Sequence, residues 1–186
     1  MTNEINIKVK YICYGSEYIK FTIGGKRYRY EAGYMGPEPL SDLILAVATF
    51  IWKEEDEYKT TWDEEPGKLH ITMTRDVNNR DLLHVDAHAK GDFVDPKTNM
   101  PWIQDDKYHF DVSLEALRIA VVKEGLRMLK EYGLRGFDGS WGTGENTFPL
   151  KTLLILMGSS VAEVDDSYKS NFFDELNLLM TNLKQL

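Results

Sequence analysis

Cysteine, histidine, positive charge and long apolar runs are all scarce in this chain, and each shortage excludes something. Cys13 is the single cysteine among 186 residues, so neither an internal disulfide nor a thiolate-rich zinc site can form. It shares an alternating face with Ile5, Ile7, Val9 and Tyr11, the setting of a buried structural thiol rather than a nucleophile. No stretch approaches the roughly 20 consecutive apolar residues of a membrane-spanning helix, so no membrane partner is expected. The opening residues, Met1-Thr2-Asn3-Glu4-Ile5, lack the basic cluster and apolar stretch of a signal peptide, and a cytoplasmic location is expected.

Only 22 Lys and Arg stand against 30 Asp and Glu, a net charge of −8. Phosphate binding needs a cationic surface, so nucleic acid is not expected as a partner, whereas a basic protein suits the charge. Ser-His, Cys-His, Rossmann and His-Glu-x-x-His patterns are missing. The spacing therefore assigns no catalytic residue, no cofactor is expected, and the balance leans away from an enzyme.

What is present is ordinary globular material, 42% hydrophobic and 28% charged. A chain this long buries roughly 70% of the surface its unfolded form exposes, and residues 1–186 read as one domain. Ile19, Phe21 and Ile23 alternate up to Gly24-Gly25, and Tyr28 and Tyr30 alternate away, which predicts a hairpin pairing Phe21 with Tyr28 and Ile19 with Tyr30. With residues 5–13 this makes a three-stranded meander. Apolar residues at 40, 43, 44, 47, 50 and 51 predict a helix over 40–53, its arc widened by Ala46, Ala48 and Trp52. A second helix runs from an N-cap at Ser113 to Tyr132 and stops at Gly133, with an apolar arc wide enough to pack on two sides. A short helix is expected from near Pro149 and a further one at the C-terminus, with Phe172, Leu176, Leu179, Leu183 and Leu186 at helical spacing; 91–106 reads as a long loop, after which Tyr108, Phe110 and Val112 alternate as a sixth strand. The predicted fold class is α+β, an antiparallel sheet of about six strands with helices on one face, in the order β-β-β-α-β-β-β-α-α-α.

Three segments invite a functional reading. Leu69, Ile71 and Met73 alternate with His70, Thr72 and Thr74, and Leu83, Val85 and Ala87 alternate with His84, Asp86 and His88. A three-residue loop at 78–80 sets His70 opposite His88 and Thr72 opposite Asp86. His70, Asp86 and His88 are then an alternative metal-ligand set, since directly paired Cβ atoms lie about 5 Å apart. The competing explanation is a solvated strand face. The glycine-rich stretch 133–144 follows a helix and lacks the lysine of a phosphate loop, so its glycines are assigned to folding Phe137, Trp141 and Phe148 onto the core.

The third segment is acidic. Glu54, Glu55, Asp56 and Glu57 follow the first helix, where the macrodipole opposes negative charge, and Asp63 and Glu64 flank Trp62. With Tyr58 and Trp62 as aromatic anchors, these residues form a candidate protein-recognition surface. A solvated loop is the plainer alternative.

Trp62-Asp63-Glu64-Glu65-Pro66-Gly67 followed by an alternating strand ending in Arg75 resembles a pattern in small bacterial proteins. Some of these are similar to immunity proteins of polymorphic toxin systems. The resemblance extends in layout to the long helix, Gly133, a loop with Trp141 and Phe148-Pro149. The chain departs from it in the stretch 91–106 and in its C-terminal helix. The resemblance implies a cytoplasmic, non-enzymatic protein-binding protein that binds and occludes a cognate toxin. A basic toxin would complement the acidic charge.

Overall fold

The computed structural model describes residues 5–12, 16–23, 26–32, 38–64, 67–94, 101–141, 148–159, 162–164, 167–169 and 171–186. Alternating apolar side chains build the first sheet. Strands β1 (Ile5–Ile12), β2 (Ser16–Ile23) and β3 (Lys26–Ala32) form an antiparallel meander in that order. Ile19 pairs with Tyr30 and Phe21 with Tyr28, as the hairpin reading requires. Ile7, Val9 and Ile19 are buried, while Lys20 and Arg27 on the alternate positions are exposed. The Gly24-Gly25 turn and Cys13 lie outside the described residues.

Helix α1 (Pro39–Trp52) starts with Pro39, whose fixed φ suits the first helical position. The Glu38 carboxylate caps it, accepting from the Leu40 and Ser41 amides at 2.9 and 2.6 Å. Nine of its 14 residues are buried, Leu40, Ile44, Ala46, Val47 and Phe50 completely so. The expected apolar arc is nevertheless too wide at the C-terminal end, because Trp52 is 63% exposed and Ile51 also faces solvent.

A second meander follows, in the order β4 (Glu57–Glu64), β5 (Gly67–Arg75), β6 (Leu82–Val94) and β7 (Pro101–Ser113). Two expectations change here. Residues 57–64, read as an acidic loop, form a strand, because Tyr58, Thr60 and Trp62 alternate inward beneath the charges. The stretch 91–106, read as a loop, largely continues β6 and β7, with Asp92 paired to Ile103 and Val94 to Pro101; residues 95–100 lie outside the described set.

The expected six-stranded sheet is thus divided. Among the described residues β3 and β4 are in contact but no ladder joins them, leaving one sheet of three strands and one of four. A short hairpin, β8 (Ala162–Val164) with β9 (Ser167–Lys169), forms a third sheet.

Helix α2 (Leu114–Trp141) begins where Ser113 Oγ accepts the Ala116 amide at 3.1 Å, the N-cap expected for Ser113. Gly133 interrupts it with φ 66° and ψ 173°, a conformation that favours glycine, but helical turns resume as far as Trp141 instead of giving way to a loop. Positions 142–147 and the side chains of Phe137 and Trp141 lie outside the described residues.

Buried Glu124 and its neighbour Arg127 fasten α2 to β1. Glu124 accepts the Val9 amide at 2.6 Å and Arg127 donates to the Val9 carbonyl at 2.7 Å. Both backbone groups sit on the outer edge of the first sheet, so the pair also covers an edge strand that would otherwise present unpaired groups.

Helix α3 (Leu150–Leu156) packs on α1 and α2. At the crossing a Cβ added to Gly125 would lie 3.1 Å from Leu153 Cδ1. Helix α4 (Phe172–Lys184) is capped by Asn171 and rests on α2 and α3. Leu179 and Leu183 touch the core, whereas Phe172, Phe173, Leu176 and Met180 stay exposed.

One buried cluster unites Ile7, Val9 and Ile19 with α1, α2, α3 and the inward residues of β4 to β7, among them Trp62, Leu69, Ile71, Met73, Leu83 and Val85. Helices therefore pack on the apolar side of the four-stranded sheet.

Candidate functional site

The other side of that sheet carries all four histidines of the chain. Register aligns its residues in rows across β4, β5, β6 and β7: Glu57, Thr74, His84 and Asp111; then Lys59, Thr72, Asp86 and His109; then Thr61, His70, His88 and Lys107; then Asp63, Lys68, Lys90 and Asp105. His70 stands opposite His88 and Thr72 opposite Asp86, as the three-residue-loop register requires.

Each histidine has its own partner. His70 Nδ1 meets Thr61 Oγ1 at 3.0 Å, His88 Nε2 meets the Asp105 carboxylate, and His109 Nδ1 meets Asp86 Oδ1 at 2.8 Å. His84 lies between two carboxylates, Nδ1 2.7 Å from Asp111 and Nε2 3.1 Å from Asp76. His70, Asp86 and His88, the alternative metal set, are therefore held by three different neighbours. Among the described residues no three His, Cys, Asp or Glu side chains are grouped to hold a metal ion.

Electrostatics follows these contacts. The hydrogen bond to Asp111, then that to Asp76, raises the His84 pKa above its ordinary value. Asp76 is lowered by His84 and by the Asn78 and Asn79 amides, and Asp105 is lowered by its bond to His88. Sequence reading placed three histidines here and missed His109 as a neighbour. The available signal was the strand expected from Tyr108, Phe110 and Val112, whose alternate positions carry Lys107, His109 and Asp111; what spacing did not supply was its register against β6.

The acidic segment forms a second surface, at the end of the sheet where α1 passes into β4. Glu54, Glu55, Asp56 and Glu57 are all exposed. Glu54 holds φ 56°, a left-handed conformation that costs a non-glycine residue about 1–2 kcal/mol. The turn from Asp76 to Asp81 is tied to it. Arg75 donates its amide to the Asp56 carbonyl at 2.8 Å, and Arg80 binds the Asp56 carboxylate and reaches the Glu54 carbonyl at 3.3 Å. Arg75 itself is buried, lies over the Phe50 ring with its guanidinium carbon 5.4 Å from the centroid, and donates to the Phe50 carbonyl.

The two expected aromatic anchors are not on this surface. Trp62 is 0% exposed and donates Nε1–H to Asp42 at 2.8 Å, while half-buried Tyr58 donates its hydroxyl to the same carboxylate at 2.7 Å. Burial and Asp42 push the Tyr58 pKa upward, so it stays a neutral donor. Both residues lock β4 to α1 from within.

The exposed apolar groups beside the acids are instead Trp52 at 63% and Val77 at 87%. Asp63, at the other end of β4, is partly buried and paired with Lys68 at 3.2 Å, and the side chain of Glu64 lies outside the described set. Among the described residues no helix is long and apolar enough to cross a membrane. No protein-family model, curated protein or solved structure matches the chain.

Proposed function

We propose that this chain is a non-enzymatic protein-binding protein of the immunity or antitoxin kind, whose acidic end docks a basic toxin and occludes it. The observation that carries this reading is Trp52, 63% exposed and followed at once by the exposed run Glu54-Glu55-Asp56-Glu57. An indole in open solvent leaves apolar area wet, and tryptophan at the centre of a patch is the residue type most able to anchor a protein contact. Carboxylates around it supply the rim and accelerate encounter with a cationic partner.

Val77 extends the patch from the neighbouring turn, which Arg80 holds against the acidic segment. Tyr58 and Trp62 serve this surface indirectly, by holding β4 to α1 through Asp42.

The test is co-purification at low ionic strength from the native host, comparing wild-type protein with Trp52→Ala and Glu55→Lys. The expected outcome is a stoichiometric basic partner, released by salt and weakened by Trp52→Ala about 30-fold or more, with unfolding midpoints unchanged. Recovery of the same proteins in the same amounts by all three forms would defeat the reading.

A further inference from the structure

A neutral imidazole has one N–H and one lone pair, so it can donate to only one carboxylate. His84 faces two, Asp111 on Nδ1 at 2.7 Å and Asp76 on Nε2 at 3.1 Å. Only the imidazolium satisfies both; in the neutral ring one nitrogen would turn a lone pair toward a carboxylate.

The contacts continue on both sides. Asp111 Oδ1 lies 3.9 Å from His109 Nε2, and His109 Nδ1 meets Asp86 at 2.8 Å. Asp76 uses its other oxygen to accept the Asn78 and Asn79 amides at 2.8 and 2.7 Å, which shapes the turn from 76 to 81. The sequence of groups Asp76, His84, Asp111, His109, Asp86 thus joins three pieces of backbone: that turn, β6 and β7.

We propose that this chain of groups is a proton-operated clasp, in which protonated His84 fastens both β7 and the 76–81 turn to β6, and loss of its proton to solvent releases one of the two attachments.

Other charges around it come from every strand of the sheet. Glu57 on β4 ends the His84 row, Lys59 on β4 ends the row of Asp86 and His109, and His70, His88 and Lys107 form the next row. The turn adds Arg80, bound to Asp56, and Asp81, which accepts from Ser113 Oγ and the Glu115 amide at the start of α2. Among the described residues, the groups within hydrogen-bond distance of the His84 ring are the Asp111 and Asp76 carboxylates, and both favour its charged form.

The sign follows from the pKa directions. His84 is raised above 6.5, so its stabilisation is complete below that value and is lost as pH rises through the folded-state pKa. Asp76 is lowered below 3.8, so its share is present above that value and is lost as pH falls through the folded-state pKa. The clasp is closed between these limits and opens toward either extreme. His84 is 36% exposed, so added salt weakens it.

Nuclear magnetic resonance titration of the wild-type protein tests this without a variant. The expected result is a His84 ring midpoint above 6.5, with the Asn78, Asn79 and Asp111 amide signals moving at the same midpoint. A midpoint at or below 6.5, or amide signals that ignore the ring, would overturn the clasp. A second measurement compares thermal midpoints of wild type and His84→Gln from about pH 6 to about pH 8.5. Wild type is expected to lose about 1–3 °C more than the variant across that window, and equal losses would count against the proposal.

Discussion

The two faces of the four-stranded sheet share one backbone ladder and hold their carboxylates in opposite ways. On the inner side Asp42 reaches across from α1 to accept from Trp62 and Tyr58, two neutral donors in a buried setting. On the outer side Asp76, Asp86, Asp105 and Asp111 all meet imidazoles at partly exposed positions. Inner contacts are made by neutral donors largely withdrawn from water, so they change little with pH near neutrality. Outer contacts are screened, individually weak and set by protonation. Stability is therefore concentrated on one face and responsiveness on the other, although neighbouring residues along each strand alternate between them.

Breaking the inner face is expected to have the largest effect. Trp62→Ala removes a fully buried indole and should lower the unfolding free energy by about 3–5 kcal/mol, measured by urea denaturation. Asp42→Ala should cost about 2–4 kcal/mol, because the indole N–H and the Tyr58 hydroxyl lose their shared acceptor while the surrounding helix and strand stay packed. A cost below about 0.5 kcal/mol would mean that water reaches these donors and that the two faces are less different than described. On the outer face His70→Ala should change stability by no more than about 0.5 kcal/mol, since it removes one exposed contact with Thr61. A larger loss in the same denaturation experiment would move His70 into the load-carrying part of the sheet.

The hairpin register was legible because strict alternation leaves few choices. With Leu69, Ile71 and Met73 facing Val85 and Ala87, a slip by one residue would turn every apolar side chain outward. The pairing of His70 with His88 followed from the apolar pattern and a short turn, with no reference to histidine chemistry. Strand β4 was hidden for the opposite reason. Its outward positions, Glu57, Lys59, Thr61 and Asp63, are so polar that the alternation of Tyr58, Thr60 and Trp62 beneath them reads as a charged loop containing aromatics.

The outer halves of β6 and β7 carry Gly91, Asp92, Asp105 and Asp106, residues poor in strand propensity. There the ladder between the two strands overrides local preference. Helix α1 shows the reverse error. Periodicity marked Trp52 as core, but the helix ends where its packing partners end, and the indole is left in solvent.

Composition and spacing by themselves determined the α+β class, the pairing of β2 with β3, a helix beginning near Leu40, the N-cap at Ser113 and the interruption at Gly133, because each rests on local sterics or on a short-range apolar period. Tertiary structure alone decided that the strands divide between a three-stranded and a four-stranded sheet and that Trp62 is buried while Trp52 is exposed. It also decided that His109, more than 20 residues beyond Asp86, stands opposite it and beside the row of His84 and Asp111. These outcomes depend on which distant segments meet. A side chain's exposure and its ionic partner are set by what packs against it, and one strand read alone does not contain that neighbour.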